Sequence, residues 1–454
     1  MARLGTGTSS SVCKALAKLS SSTCKIEVMF TRLVESLAAT EAMSKVFSDT
    51  SVLQAMLDFE AALARAEARC GVIPASAVTA IAAAAIAEGF DLSELTRLSL
   101  RAGTPAIPLV KMLTARVRAI DPVAAGFVHW GATSQDVADT ALVLLLRQAV
   151  PILQADHERT MAALHGLSER NAGAVMLGRT LLQPASPVTF GLKAAGWYAA
   201  LRRGWDRVSS RFDEALCLQF GGASGTLASL DDRGMSVGEA LASELALREP
   251  DAPWHGYRDR LAALMAALTI YTATLGKIAL DVALLMQFEV GEAFEPGGEG
   301  RGGSSSMPQK RNPTACMLTL AAAKRVPGLL ADFVVGMVVE HERALGGWQA
   351  EWPLVYGIVQ SAAIALESMA EVCDGLNVDV AKMRANVEST KGAIFAERAV
   401  LLLTPELGRE VARRQVEDAI RETGSPPDLP GLRDPEQYLG SAEAFRKRQM
   451  QGDK

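Results

Sequence analysis

Five long helical runs in the middle of the chain constrain the fold more than any other feature. They cover residues 137–171, 187–219, 258–294, 313–346 and 352–376. Several are apolar or small nearly all round, as at Ala266, Ala267, Ala321, Ala322 and Ala323. A helix with little polar face has to be covered on most sides. Five such helices cannot all cover one another in a thin monomer. The pattern therefore predicts a bundle that other copies of the chain complete. Bends are expected at Pro151 and Pro327.

The flanking regions differ. Residues 29–136 carry shorter helical patterns broken by Gly and Pro. The clearest lies at 50–70, with Leu53, Leu57 and Leu63 on one stripe and Gly71 and Pro74 ending it. The tail, 377–454, is shorter in pattern and richer in Pro and charge. Residues 1–28 are Ser-rich and free of acids until Glu27, and read as an unstructured extension. No β-alternation persists. The expected fold class is therefore all-α, with an N-terminal helical domain at 29–136, a central long-helix bundle at 137–376 and a C-terminal helical domain at 377–454.

Composition narrows the function. Aromatics are only 5% of a chain that is 49% hydrophobic, so the core must be packed from Ala, Leu and Val. A net charge of −5 gives no basic excess for nucleic acid or a membrane surface. The apolar stretch between Arg260 and Lys277 reads as too short to span a bilayer. Six cysteines without a CxxC pair suggest reduced thiols and a cytoplasmic protein. Five histidines with no HExxH spacing offer a metal site no basis.

The strongest local signal is GSSSMPQKRNP at 303–313, approached through Gly297, Gly298, Gly300 and Gly302. Hydroxyls, two cations and two amides crowd a glycine-hinged loop between two long helices. A Gly/Ser stretch alone is usually a solvated loop, but the Met-Pro-Gln-Lys-Arg-Asn-Pro that follows argues against that. Pro313 suits a helix start, which would put Lys310 and Asn312 just ahead of a positive helix end. A second segment, HWGATSQD at 129–136, leads into the first long helix. Thr133 and Ser134 there could bind an anion or simply cap the helix.

GSSSMPQKRNP closely resembles the signature of the fumarase/aspartase superfamily, and the resemblance runs through most of the chain from about residue 29. It implies three helical domains, a homotetramer, and active sites shared by three subunits. It also implies that Ser304 is the catalytic serine, that Lys310 and Asn312 bind a substrate carboxylate, and that Thr133 and Ser134 hold another. His129 matches a histidine of the adenylosuccinate lyases and joins Ser304 and Lys310 as a candidate catalytic residue. No cofactor and no metal are implied.

One departure is informative. Lyases of this superfamily resemble GRTLLQPASP at 178–187 but carry a histidine where Leu181 stands. That histidine assists a basic leaving group. A carboxylate, with a pKa of about 4, leaves unprotonated. Losing the histidine suits a reaction whose reverse expels a carboxylate, which is lactone closure. Gln183 remains as a neutral donor. The segments at 56–68, 106–111, 220–227, 254–260, 288–296 and 340–352 resemble the cycloisomerase branch of the superfamily in particular. Arg258 is then expected near a carboxylate of a small-molecule tricarboxylate substrate, with Glu292 supporting a neighbour. Two rival readings are a fumarate-releasing lyase and a non-catalytic helical scaffold. His157 and His165 read as solvated positions on the first long helix.

Overall fold

The structure, a computed structural model, describes residues 33–298 and 301–451. The expected extension at 1–28 lies outside the described residues. Among the described residues there are fifteen α-helices and four short strands, so the chain is all-α in class. The first five helices are α1 (Glu41–Val46), α2 (Asp49–Arg69), α3 (Ala75–Ala84), α4 (Leu92–Ala102) and α5 (Ala106–Ile120). The long bundle follows: α6 (Ser134–Arg170), α7 (Phe190–Ala215), α9 (Asp259–Leu285), α10 (Thr314–Gly336) and α11 (Gly347–Gly375), with α8 (Gly234–Leu245) packed beside α2. The chain ends with α12 (Val380–Ser389), α13 (Ala396–Leu407), α14 (Arg409–Thr423) and α15 (Ala442–Gln451).

Local chemistry explains these boundaries. Ser48 caps α2 by accepting the Ser51 N–H, and Leu53, Leu57 and Leu63 are buried on the predicted stripe. Thr133 caps α6, and its own N–H donates to the Asp136 carboxylate at 3.0 Å. Pro151 and Pro327 both lie inside helices, α6 and α10. With 37 residues, α6 is about 55 Å long.

One apolar core runs through the first helices and the bundle. A separate small cluster of Phe395, Ala399, Val416 and Leu432 holds α13 and α14 together. The bundle helices do not cover all their apolar surface: Ile270, Leu280, Met317, Val334 and Val335 are exposed on α9 and α10.

Three expectations need correction. The first concerns strand. Residues 183–189, part of which reads as helical, form β2 (Gln183–Thr189), paired antiparallel with β1 (Val175–Thr180). Helix α7 starts only after them, where Thr189 caps Leu192. A further pair, β3 (Ala293–Phe294) with β4 (Asn377–Val378), clasps the end of the bundle. The second concerns length. Helix α9, at 27 residues, and α11 are long and apolar enough to cross a membrane by length and composition, though most of each is buried inside the bundle. The third is His157, which is buried. Its Nδ1 meets the Tyr271 hydroxyl at 2.7 Å and its ring stacks on Trp205. Burial pushes its pKa down to about 4. Cys70, Cys217, Cys316 and Cys373 are free thiols.

Candidate active site

The predicted site residues fall into two groups at opposite ends of the bundle. His129, Thr133, Ser134 and Arg258 gather where α6, α9 and α11 begin. Gln183, Glu292, Ser304, Lys310 and Asn312 lie toward the end where those helices finish. Arg258 immediately precedes α9 and Glu292 lies just beyond it. The helix between them has 27 residues, or about 40 Å. A single chain does not bring the two groups together.

The first group is organised by Asp136, in the first turn of α6. Its carboxylate is buried and accepts four donors: the N–H groups of Thr133, Gly221 and Gly222, and the His255 Nε2 at 2.6 Å. This ties the Thr133–Ser134 turn to the loops at 220–227 and 254–260. Gly221 is required by contact: a Cβ there would stand 2.7 Å from Pro253 and 2.8 Å from His255. Gly222 is required by its backbone, at φ +68°. Arg343 closes the arrangement from the α10–α11 connection, donating to the carbonyls of Gly222 and Ala223.

Arg258 corrects an expectation. It does not present its cation to a ligand. The residue is 3% exposed, and its guanidinium spans two carboxylates. It donates to Asp139 at 2.7 and 3.0 Å and to Glu351 at 2.9 and 2.5 Å. Trp254 covers its face, 4.6 Å from the ring centroid. Burial raises the Asp139 carboxyl, but the charge and hydrogen bonds of Arg258, with donors from Trp348 and Gln219, outweigh it and hold Asp139 below the usual range. Arg258 thus locks the starts of three bundle helices together. The two carboxylates that consume it are separated from it in sequence by more than a hundred and by about ninety positions, so local pattern could not reveal them.

His129 sits at φ +61°, a conformation uncommon for a residue with a Cβ. Its Nδ1 lies 2.7 Å from Glu60 of α2. Burial lowers its pKa, but the charge and hydrogen bond of Glu60 and the charge of Asp136 outweigh it, leaving it raised.

At the far end, Leu181 and Leu182 form the tip of the β1–β2 hairpin, at φ +49° and +66°. Both are exposed, Leu181 at 97%. Gln183 follows, paired with Thr180 and open to solvent. Glu292 is buried and accepts a two-point salt bridge from Arg179 at 2.9 and 2.6 Å. It also accepts from the Asn386 side chain of α12 at 2.7 Å. Glu292 thus ties the hairpin to the end of the bundle and to α12.

In that loop, Ser304 Oγ accepts the N–H of Met307 at 3.2 Å and of Ser306 at 3.4 Å. Asn312 closes the turn: its N–H donates to the Gly302 carbonyl at 2.8 Å and its side chain to the Gly303 carbonyl. Lys310 is exposed. Helix α10 does start at Thr314, just after Pro313. The free helix end expected there is, however, already occupied. Glu295 accepts the N–H groups of Ala315 and Cys316, at 3.2 and 2.7 Å, so the protein's own carboxylate neutralises it.

Comparison with known proteins decides the family. Residues 35–328 match the lyase family model. The chain belongs to that family. A 3-carboxy-cis,cis-muconate cycloisomerase from Bradyrhizobium diazoefficiens is 48% identical over 85% of this chain and 86% of its own length. A nitrosuccinate lyase from Streptomyces davaonensis is 39% identical, over 92% of this chain and 94% of its own. The crystal structure of a 3-carboxy-cis,cis-muconate lactonizing enzyme from Pseudomonas putida superposes with a TM-score of 0.86 at 42% identity, covering 92% of this chain and 98% of that one. The resemblance to the fumarase/aspartase superfamily holds on both sequence and fold.

Proposed function

We propose that the chain is a cycloisomerase that closes 3-carboxy-cis,cis-muconate to 4-carboxymuconolactone, in the protocatechuate branch of the β-ketoadipate pathway. Leu181 carries the reading: an apolar residue tips the hairpin where a general acid would serve a basic leaving group. Similarity to enzymes of that name over most of the chain supports it. The working form in this reading is a cytoplasmic homotetramer whose sites each draw on three copies. The separation of the two residue groups and the exposed apolar residues of α9 and α10 support that assembly.

In the reaction, one carboxylate of the substrate adds to the conjugated alkene of the same molecule. Holding the diene folded lowers that barrier by removing the search for geometry. Negative charge then develops on the carboxylate beside the carbon awaiting a proton. Thr133, Ser134, Lys310 and Asn312 are the donors proposed to receive it, with Gln183 as a neutral one. Ser304 gives the proton. The two backbone N–H groups on its Oγ stabilise the charge left there.

Loss of diene absorbance on adding 3-carboxy-cis,cis-muconate, with the lactone identified by NMR, tests the reading. Ser304→Ala should lower kcat by on the order of 10²- to 10⁴-fold with the fold unchanged. Near-normal turnover would remove Ser304 from the mechanism. The nitrosuccinate lyase likeness favours a second reading, elimination from a substituted succinate. Fumarate release without any lactone formation would select it.

A further inference from the structure

The segment at 56–68 has no part in the chemistry above, yet it places two carboxyl groups inside the protein. Glu60 and Glu67 lie on α2 on the same face as Leu53, Leu57 and Ala64, and they are 1% and 0% exposed. Neither oxygen of Glu67 has a partner among the described residues. Burial, with the charge of Glu60 behind it, pushes the Glu67 carboxyl up to about 9, so it is protonated and neutral at pH 7. Glu60 differs. One of its oxygens is orphaned, and the other meets His129 Nδ1 at 2.7 Å. A buried carboxylate whose one partner is a histidine on a strained turn does not read as a packing device. Such an arrangement persists only where the surroundings enforce it.

We propose that Glu60 is a positioning residue: it holds the His129 ring by Nδ1 and turns Nε2 toward the Thr133–Ser134 turn as a charged donor for a substrate carboxylate. A carboxylate can only accept, so Nδ1 must carry a proton. Among the described residues no group bonds to Nε2. The ring is also held by backbone: His129 at φ +61° and Gly131 at φ +72° fold the segment back just before α6 begins. The charged groups facing the ring are Glu60 from α2 and Asp136 from α6; Glu67, also on α2, is neutral and interacts with Glu60. Asp136 is engaged by three N–H groups and His255, so Glu60 is the carboxylate dedicated to His129. Its negative charge favours the imidazolium, which burial opposes. The proposal rests on the functional reading in placing a substrate carboxylate at this turn.

The test follows the His129 ring resonance in histidine-labelled full-length protein against pH, assigned with His129→Gln, in the wild type and in Glu60→Gln and Glu67→Gln. Glu60→Gln keeps the shape and removes the charge. It should lower the His129 midpoint by roughly one pH unit or more and move the alkaline limb of kcat/KM to lower pH by the same amount. Glu67→Gln replaces a group already neutral and should move neither. An unmoved midpoint in Glu60→Gln would overturn the pairing. A midpoint that moves while the limb of kcat/KM stays would overturn the role in the reaction. Should Glu60→Gln fail to fold, the wild type still decides: titration of His129 at or below the ordinary midpoint, or a neutral ring without its proton on Nδ1, contradicts the proposal. Absence of cyclisation in the wild type would refute the substrate reading instead. The resonance would then judge the pairing alone.

Discussion

Arg258 and Asp136 are buried charges whose hydrogen bonds tie together the loops and helix starts around the Thr133–Ser134 turn. One guanidinium cannot neutralise two carboxylates equally. Asp139 takes the larger part because Trp348, Gln135 and Gln219 also donate to it, whereas among the described residues the hydrogen bonds to the Glu351 carboxylate come from Arg258. Removing the cation would leave both acids buried and uncompensated. Such losses cost about 3–5 kcal/mol. Arg258→Met should therefore lower the stability of the folded chain by an amount of that order, read from urea unfolding. A variant that unfolds normally and shows only a raised KM would return Arg258 to the substrate. The resemblance placed Arg258 near a substrate carboxylate, and nothing local in the sequence marks Asp139 or Glu351 as its partners. Glu60 was more legible in principle, since acids at positions 60 and 67 interrupt the apolar stripe of α2. The loop and cap geometry around Ser304, Thr133 and Asn312 was legible from local motif, because such hydrogen bonds are set by neighbours in sequence; a role toward substrate came from the resemblance alone.

At the level of elements, helices were legible where a 3.6-residue period persisted, as in α2, α6, α9 and α11. The β1–β2 hairpin was not. Its strands are short, one contains Pro184 and Pro187, and its pairing slips between Leu177 and Gly178. Its turn is also unmarked. Two-residue turns with positive φ at both positions favour Asn-Gly, not Leu-Leu. Holding Leu181 and Leu182 there costs about 1 kcal/mol or more each, and both side chains face solvent in the single chain. The strain is understandable if the tip is inserted elsewhere, against another copy. Replacing Leu181 with Asn and Leu182 with Gly should raise the melting temperature of the chain while lowering kcat/KM at least tenfold. An active double variant of unchanged stability would show that the tip is an ordinary surface turn. The free helix end at α10 was misjudged for a related reason. Glu295 lies twenty positions away from Ala315, beyond the reach of a cap rule.

Among the described residues, the long central helices separate the two groups of candidate site residues. Helix α6 alone separates the Thr133 turn from the β1–β2 hairpin by about 55 Å, and no bending at Pro151 could bring them together. The sequence predicted that the bundle would be completed by other copies, from helices too apolar to stand alone. Exposed Ile270, Leu280, Met317, Val334 and Val335 carry the same message in three dimensions. If His129 from one copy meets Ser304 from another, two different defects can be separated into different sites. His129→Ala and Ser304→Ala should each be nearly inactive as pure proteins. The decisive measurement is cyclisation of 3-carboxy-cis,cis-muconate after the two variants are dissociated, mixed in equal amounts and reassembled. Random assembly should restore about a quarter of wild-type activity, because some sites then receive both intact residues from different copies. A mixture no more active than its separate components, with mixed oligomers demonstrated by mass, would contradict a site built between copies.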